Sequence, residues 1–150
     1  MWPFKKKAQS AKDLPIARPW TVAEGEYKGK PMFVRINDGY RRFMVIPGYG
    51  HQVGIAVPLN EPEPSGLPSS AENGELDLIE DAICNALETA KESLFVAVIT
   101  TSGMREFVFY TQAPAQVKLK FEQLKAGIAS HPIQLMIRPD EDWDVYARLT

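Results

Sequence analysis

The chain has one cysteine, Cys84, and two histidines, His51 and His131, among its 150 residues. A lone thiol excludes an intramolecular disulfide and suits a reducing compartment, so a cytoplasmic setting is expected. These three residues share no helical or hairpin spacing, whereas zinc takes clustered ligands, so neither a metal site nor a cofactor is expected. Long apolar runs are also missing: the longest, Leu94 to Ile99, falls far short of the roughly 20 residues that cross a bilayer. The opening MWPFKKK is basic and aromatic, but the AQSAKDLP that follows is not the apolar stretch of a secretory signal. Nor is there a cationic excess, since the net charge is −2. Proteins that hold nucleic acid by its phosphates carry more Lys and Arg than this.

What is present reads as an ordinary globular chain. With 45% hydrophobic and 24% charged residues, whole-chain disorder and collagen-like repeats are excluded. The length suits one domain. Residues 1–18 are expected to be a flexible basic segment and residues 19–150 a single α+β domain. Charge is unevenly spread: residues 1–60 carry ten Lys/Arg against four Asp/Glu, and residues 61–150 carry seven against fifteen.

Two β-prone runs, PMFVRIN (31–37) and RRFMVIP (41–47), flank Asp38-Gly39, a pair that tolerates the positive φ of a tight hairpin. A third strand is expected around Ile55 to Val57, ending at Pro58. Four prolines and a glycine in the stretch from Pro58 to Ser70 then forbid regular structure. Ser69 and Glu72 have the form of a capping box, and Leu76, Ile79, Ile83, Leu87 and Ala90 recur at helical steps, so a helix with one buried face follows. LFVAVIT (94–100) lacks alternation, as a strand covered on both faces does. Ser102-Gly103 turns the chain into REFVFYT (105–111), whose alternation puts Phe107 and Phe109 on one face and Val108 and Tyr110 on the other. Pro114 opens a second helix along Val117, Phe121, Leu124 and Ile128, stopped by His131-Pro132. Ile133 to Arg138 is the last strand, and Asp140 or Asp142 can cap a short terminal helix that carries Trp143 and Tyr146 on one face.

From Val53 onward the order is βαββαβ. This predicts a ferredoxin-like two-layer sandwich, with an additional N-terminal β-hairpin extending the antiparallel sheet.

Few residues gather in patterns that carry chemistry. Gly48-Tyr49-Gly50 is not a phosphate loop, because the next glycine is Gly54 and a β-prone run follows instead of a helix. Cys84 sits in acidic surroundings that favour an inert thiol. The tail carboxylates Asp140, Glu141, Asp142 and Asp144 have no fixed partner that would make an acid/base pair of them. Arg105, Phe107 and Phe109 sit on the strand that RNA-recognition folds use for base stacking, but Glu106 replaces the glycine that follows the basic residue there.

Certain residues do suggest a family. Trp20, Gly66-Leu67-Pro68 ahead of the Glu72 to Asp81 helix, Gly103-Met104-Arg105 leading into Phe109-Tyr110-Thr111, and the ending Asp140-x-x-Trp143-x-x-Tyr146 resemble bacterial domain of unknown function 695 over about residues 20–148. The chain departs from that pattern at Glu141, where proline often stands. The family has no established activity. Related proteins join such a domain to one similar to the regulator of ribonuclease E activity B, a ferredoxin-like inhibitor, and this implies by analogy a regulator or adaptor.

The expected function is therefore a non-enzymatic binding or regulatory domain that engages another protein through the sheet face or the acidic helix. Arg105, Tyr110, Asp140, Trp143 and Tyr146 are the candidate binding residues, because they match the family pattern and combine polar tips with aromatic bodies. They also have a purely structural reading, in which Tyr110, Trp143 and Tyr146 staple the tail to the sheet and Arg105 pairs with Asp140. Two alternatives make distinct demands. A small enzyme needs Arg105 and a tail carboxylate in one cleft, and an RNA-binding domain needs Phe107 and Phe109 exposed.

Overall fold

The computed structural model describes residues 20–40 and 45–150, so the basic opening segment lies outside the described residues. The strands are β1 (Trp20–Tyr27), β2 (Lys30–Asn37), β3 (His51–Pro58), β4 (Ser93–Thr101), β5 (Met104–Thr111) and β6 (Gln134–Pro139). The helices are α1 (Ser70–Leu87), α2 (Pro114–Gly127) and α3 (Asp144–Leu149). One sheet runs in the order β1-β2-β4-β5-β3-β6, with every neighbouring pair antiparallel. Its last four strands, taken with α1 and α2, are the ferredoxin-like α+β sandwich, and the N-terminal hairpin β1–β2 extends the sheet beyond β4.

The hairpin is not where Asp38-Gly39 suggested. The turn is Lys28-Gly29, with φ of 51° and 80°, the left-handed pair that a two-residue hairpin requires. Asp38-Gly39 instead sits in a 3-10 turn, where the Gly39 N–H donates to Asn37 Oδ1 at 3.0 Å. A local side-chain bond thus supplies an alternative to the ladder. Of the run expected as its partner strand, residues 41–44 lie outside the described residues and Val45-Ile46 are not in a strand. Ser102-Gly103 makes the second such turn, with φ of 53° and 79°.

Each sheet face has its own core. Val53, Ile55, Val57, Phe95, Phe107 and Phe109 face the stripe of Leu76, Ile79, Ile83 and Leu87 on α1, and Val117 and Phe121 on α2. Ala90 does not extend that stripe, because α1 ends at Leu87 and Ala90 lies exposed with φ of 53°. α2 likewise stops at Gly127, ahead of His131-Pro132. On the opposite face Val34, Ile36, Leu94, Val96, Val108 and Tyr110 pack under Tyr40, Ile46, Tyr49 and the tail residues Trp143 and Tyr146. β4 serves both faces, aided by a register shift between Phe95 and Ala97.

The α1 start departs from a reciprocal capping box. Ser69 Oγ accepts from the Glu72 N–H at 3.2 Å. The buried Glu72 carboxylate, however, accepts from the N–H groups of Asn60 at 2.6 Å and Glu61 at 3.2 Å, and meets His131 Nε2 at 2.6 Å. Burial pushes this carboxyl up, but the bonds from His131, Asn60 and Glu61 outweigh burial and hold it below its ordinary range. The loop before α1, α1 itself and the segment after α2 are clamped at this one point.

Candidate functional site

The five candidate residues divide between two sites. Four of them form the tail cluster. The Tyr110 ring stacks on Trp143 with centroids 4.1 Å apart, and its hydroxyl donates to Asp140 Oδ2 at 2.7 Å. Asp140 also accepts the N–H groups of Asp144 at 2.8 Å and Val145 at 3.1 Å, so it caps α3. Trp143, at φ 55°, sends its indole N–H to the Tyr49 carbonyl at 2.8 Å, and the Tyr146 hydroxyl donates to the Asn37 carbonyl at 2.6 Å. Burial and then the Asp140 hydrogen bond push the Tyr110 phenol far above its usual range. For Asp140, burial acts upward, but the bonds from Tyr110, Val145 and Asp144 hold the carboxyl below its usual range. Every polar tip here is turned to the chain's own backbone or side chains, which staples the tail to the sheet.

Arg105 is elsewhere. The Arg105–Asp140 pairing is corrected: Arg105 shares the helix-side face with Phe107, whereas Asp140 joins Tyr110 on the other face. Its Nε donates to Thr100 Oγ1 at 2.9 Å and its Nη2 to Asn73 Oδ1 at 3.2 Å. It lies in a cleft of about 480 Å³ between the first half of α1 and the β1–β2 extension, with walls from Phe33, Leu67, Pro68 and Val98. Arg35, also in the cleft, pairs with Glu80 and lies 5.2 Å from the Trp20 ring centre. Burial, then the nearby Arg35, lower the Arg105 pKa, against the pull of Asp77 and Glu80. None of Asp140, Glu141, Asp142 and Asp144 lines this cleft, so Arg105 and a tail carboxylate do not meet in it.

Sequence reasoning missed the third constellation, on the sheet face away from α1 and α2. Beyond the area under α3, this face presents Met104 and Met136, 39% and 38% exposed, with half-buried Met32, Ile99 and Ala56. Glu106 lies among them. Its carboxylate lies over Gly54, so close that a Cβ there would sit 2.3 Å from Oε2. Among the described residues none hydrogen-bonds to this carboxylate, and burial raises its pKa against the pull of Arg138. The available signal was a glycine inside a strand, which marks a close approach, and an acid that breaks an apolar alternation on the neighbouring strand of the sheet.

The base-stacking arrangement is absent. Phe107 and Phe109 are fully buried beneath the helices. Among the described residues no group of three or more His, Cys, Asp or Glu could hold a metal ion, and no helix is long and apolar enough to cross a membrane.

The fold and these surfaces define a ferredoxin-like sandwich with a two-stranded extension. The model of the family of unknown function DUF695 matches residues 18–149, and the chain belongs to that family. No curated protein and no solved structure matches it.

Proposed function

We propose that this chain is a non-enzymatic binding domain of the bacterial cytoplasm that regulates a protein partner, and that the partner docks on the methionine-bearing sheet face with a basic side chain against Glu106. The observation that carries the reading is the Glu106 carboxylate, half withdrawn from water, notched over Gly54 and without a hydrogen bond from the described residues. A carboxylate in that state gains a charge-assisted bond when a guanidinium or ammonium arrives, while Met104 and Met136 offer adaptable apolar contact. The acidic excess of residues 61–150 steers the same class of partner.

The test is affinity capture from native cells with wild type, Glu106→Lys and Glu75→Lys, the last on the exposed surface of α1. Loss of a specific prey with Glu106→Lys alone supports the reading, since breaking a desolvated interfacial pair costs about 2–5 kcal/mol. Loss with Glu75→Lys alone would move the site to the acidic helix. Identical prey for all three would refute a docking role for the sheet face.

A further inference from the structure

We infer that the cleft between α1 and the β1–β2 extension binds an organic monocarboxylate with a short apolar body, its carboxylate received by Arg105. The cleft is separate from the sheet face around Glu106, since Arg105 and Phe107 face the helices while Glu106, next in the chain, faces the other way.

The cation is fixed and underserved. Arg105 is anchored at two nitrogens by Thr100 and Asn73, both neutral acceptors, and no carboxylate of the described residues lies within ion-pair distance of it. Most of the N–H donors of a guanidinium are thus left for a ligand. Its neighbour Arg35 differs in this respect, because Glu80 already neutralises it. Guanidinium geometry matches a carboxylate through two parallel bonds.

The surroundings set the class. Glu63 and Asp77 also line the cleft, so with Arg35, Arg105 and Glu80 its vicinity holds three carboxylates against two guanidiniums. A phosphate ester, with its higher negative charge, meets more repulsion there than a single carboxylate does. The remaining walls are apolar: Phe33, Leu67, Pro68 and Val98, with Val22 on β1 exposed to 61%. A ligand body laid on Val22 removes that surface from water. The volume of about 480 Å³ is that of a small-molecule site.

Two sources offer this chemistry: a free short-chain acid, and the C-terminal carboxylate of a peptide ending in an apolar residue. The experiment is an amide NMR titration of the full chain with hexanoate, hexanol, inorganic phosphate, and acetyl-Ala-Leu as free acid and as amide. Saturable shifts at β2, the end of β4 and the start of β5 are expected with carboxylates and not with hexanol, phosphate or the peptide amide. Tighter binding of hexanoate assigns a free acid, and tighter binding of acetyl-Ala-Leu a peptide terminus. Arg105→Gln should weaken binding about tenfold or more. Should that variant not fold, Val22→Trp, at an exposed position, fills the cleft while leaving Arg105 and its anchors in place, and should weaken binding comparably. Glu106→Lys should leave this binding unchanged, so failure of the sheet-face reading does not touch it. Absence of saturable shifts with either carboxylate, or equal shifts with hexanol, overturns the inference.

Discussion

The Tyr110 hydroxyl donates to Asp140 Oδ2 at 2.7 Å and accepts the Tyr146 N–H at 3.2 Å, so one side chain of β5 holds both the start and the body of the terminal helix. Tyr110→Phe keeps the ring stack on Trp143 and removes both bonds, and should cost about 1–3 kcal/mol. Asp140→Ala, which also uncaps α3, should cost roughly 1–2 kcal/mol. The double variant should lose less than the sum of the two, because the residues share one bond. Urea denaturation of the three variants checks this.

Acid should unfold the protein partly through Glu72. Its pKa is lowered in the fold, so the stability it contributes is fully present above the unfolded carboxyl value, about 4.3, and is lost as pH falls through the lower folded value. Asp140 acts with the same sign. Glu72→Gln should cost roughly 2–3 kcal/mol at neutral pH, because charge-assisted bonds from His131 and two backbone N–H groups weaken together. It should also flatten the stability-against-pH curve below about pH 5. Equal acid slopes for variant and wild type would exclude this role.

Glu106 has the opposite sign. Its pKa is raised, so its share of stability is present below the unfolded value and is lost as pH rises through the folded value. Glu106→Gln should therefore stabilise the isolated protein at neutral pH. Retention of a destabilising carboxylate is expected of a binding surface.

Gly54→Ala places a Cβ 2.3 Å from Glu106 Oε2 and 3.3 Å from Met136 Cε. Both atoms end flexible side chains on the partly exposed sheet face and can swing aside, so the loss should be small, below about 1 kcal/mol. Glu106→Ala should recover most of that loss. A double-mutant cycle in chemical denaturation measures the coupling, and additive effects would show that the two positions do not meet.

Gly66→Ala should be among the costlier loop changes. Gly66 has φ of +89°, and a Cβ there would meet the Ser102 Cα at 3.0 Å. The Gly103 N–H donates to the Gly66 carbonyl and the Leu59 N–H to the Gly103 carbonyl, each at 2.8 Å, so the loop ahead of α1 is seated on the β4–β5 turn. A loss of about 2 kcal/mol is expected, together with shifted amide resonances at Ser102 and Gly103 and little change at α3.

Much of the ferredoxin-like half was legible because its signals are local. Leu76, Ile79, Ile83 and Leu87 repeat with the helical period, Phe107 and Phe109 alternate against Val108 and Tyr110, and all bury as that periodicity requires. The hairpin was misplaced because Asp38-Gly39 stands between two β-prone runs, while Lys28-Gly29 lacks the usual turn composition. Asp38-Gly39 has the commoner composition, but β2 is needed as the neighbour of both β1 and β4, and Lys28-Gly29 closes the ladder. Glu72 was read as half of a local cap, and its partner His131, 59 residues away, was invisible to any local rule.

Periodicity, proline placement and turn chemistry act over a few residues, and so the amino-acid order alone determined the βαββαβ half, the capped start of α1 and which side chains of β5 face the helices. Which polar groups meet was decided only by the tertiary structure. Sheet order brings Gly54 beneath Glu106, lays the tail over Tyr110 and opens a cleft in front of Arg105. Such meetings depend on long-range strand pairing and on how much water each group keeps, and neither quantity is a property of a short stretch of chain.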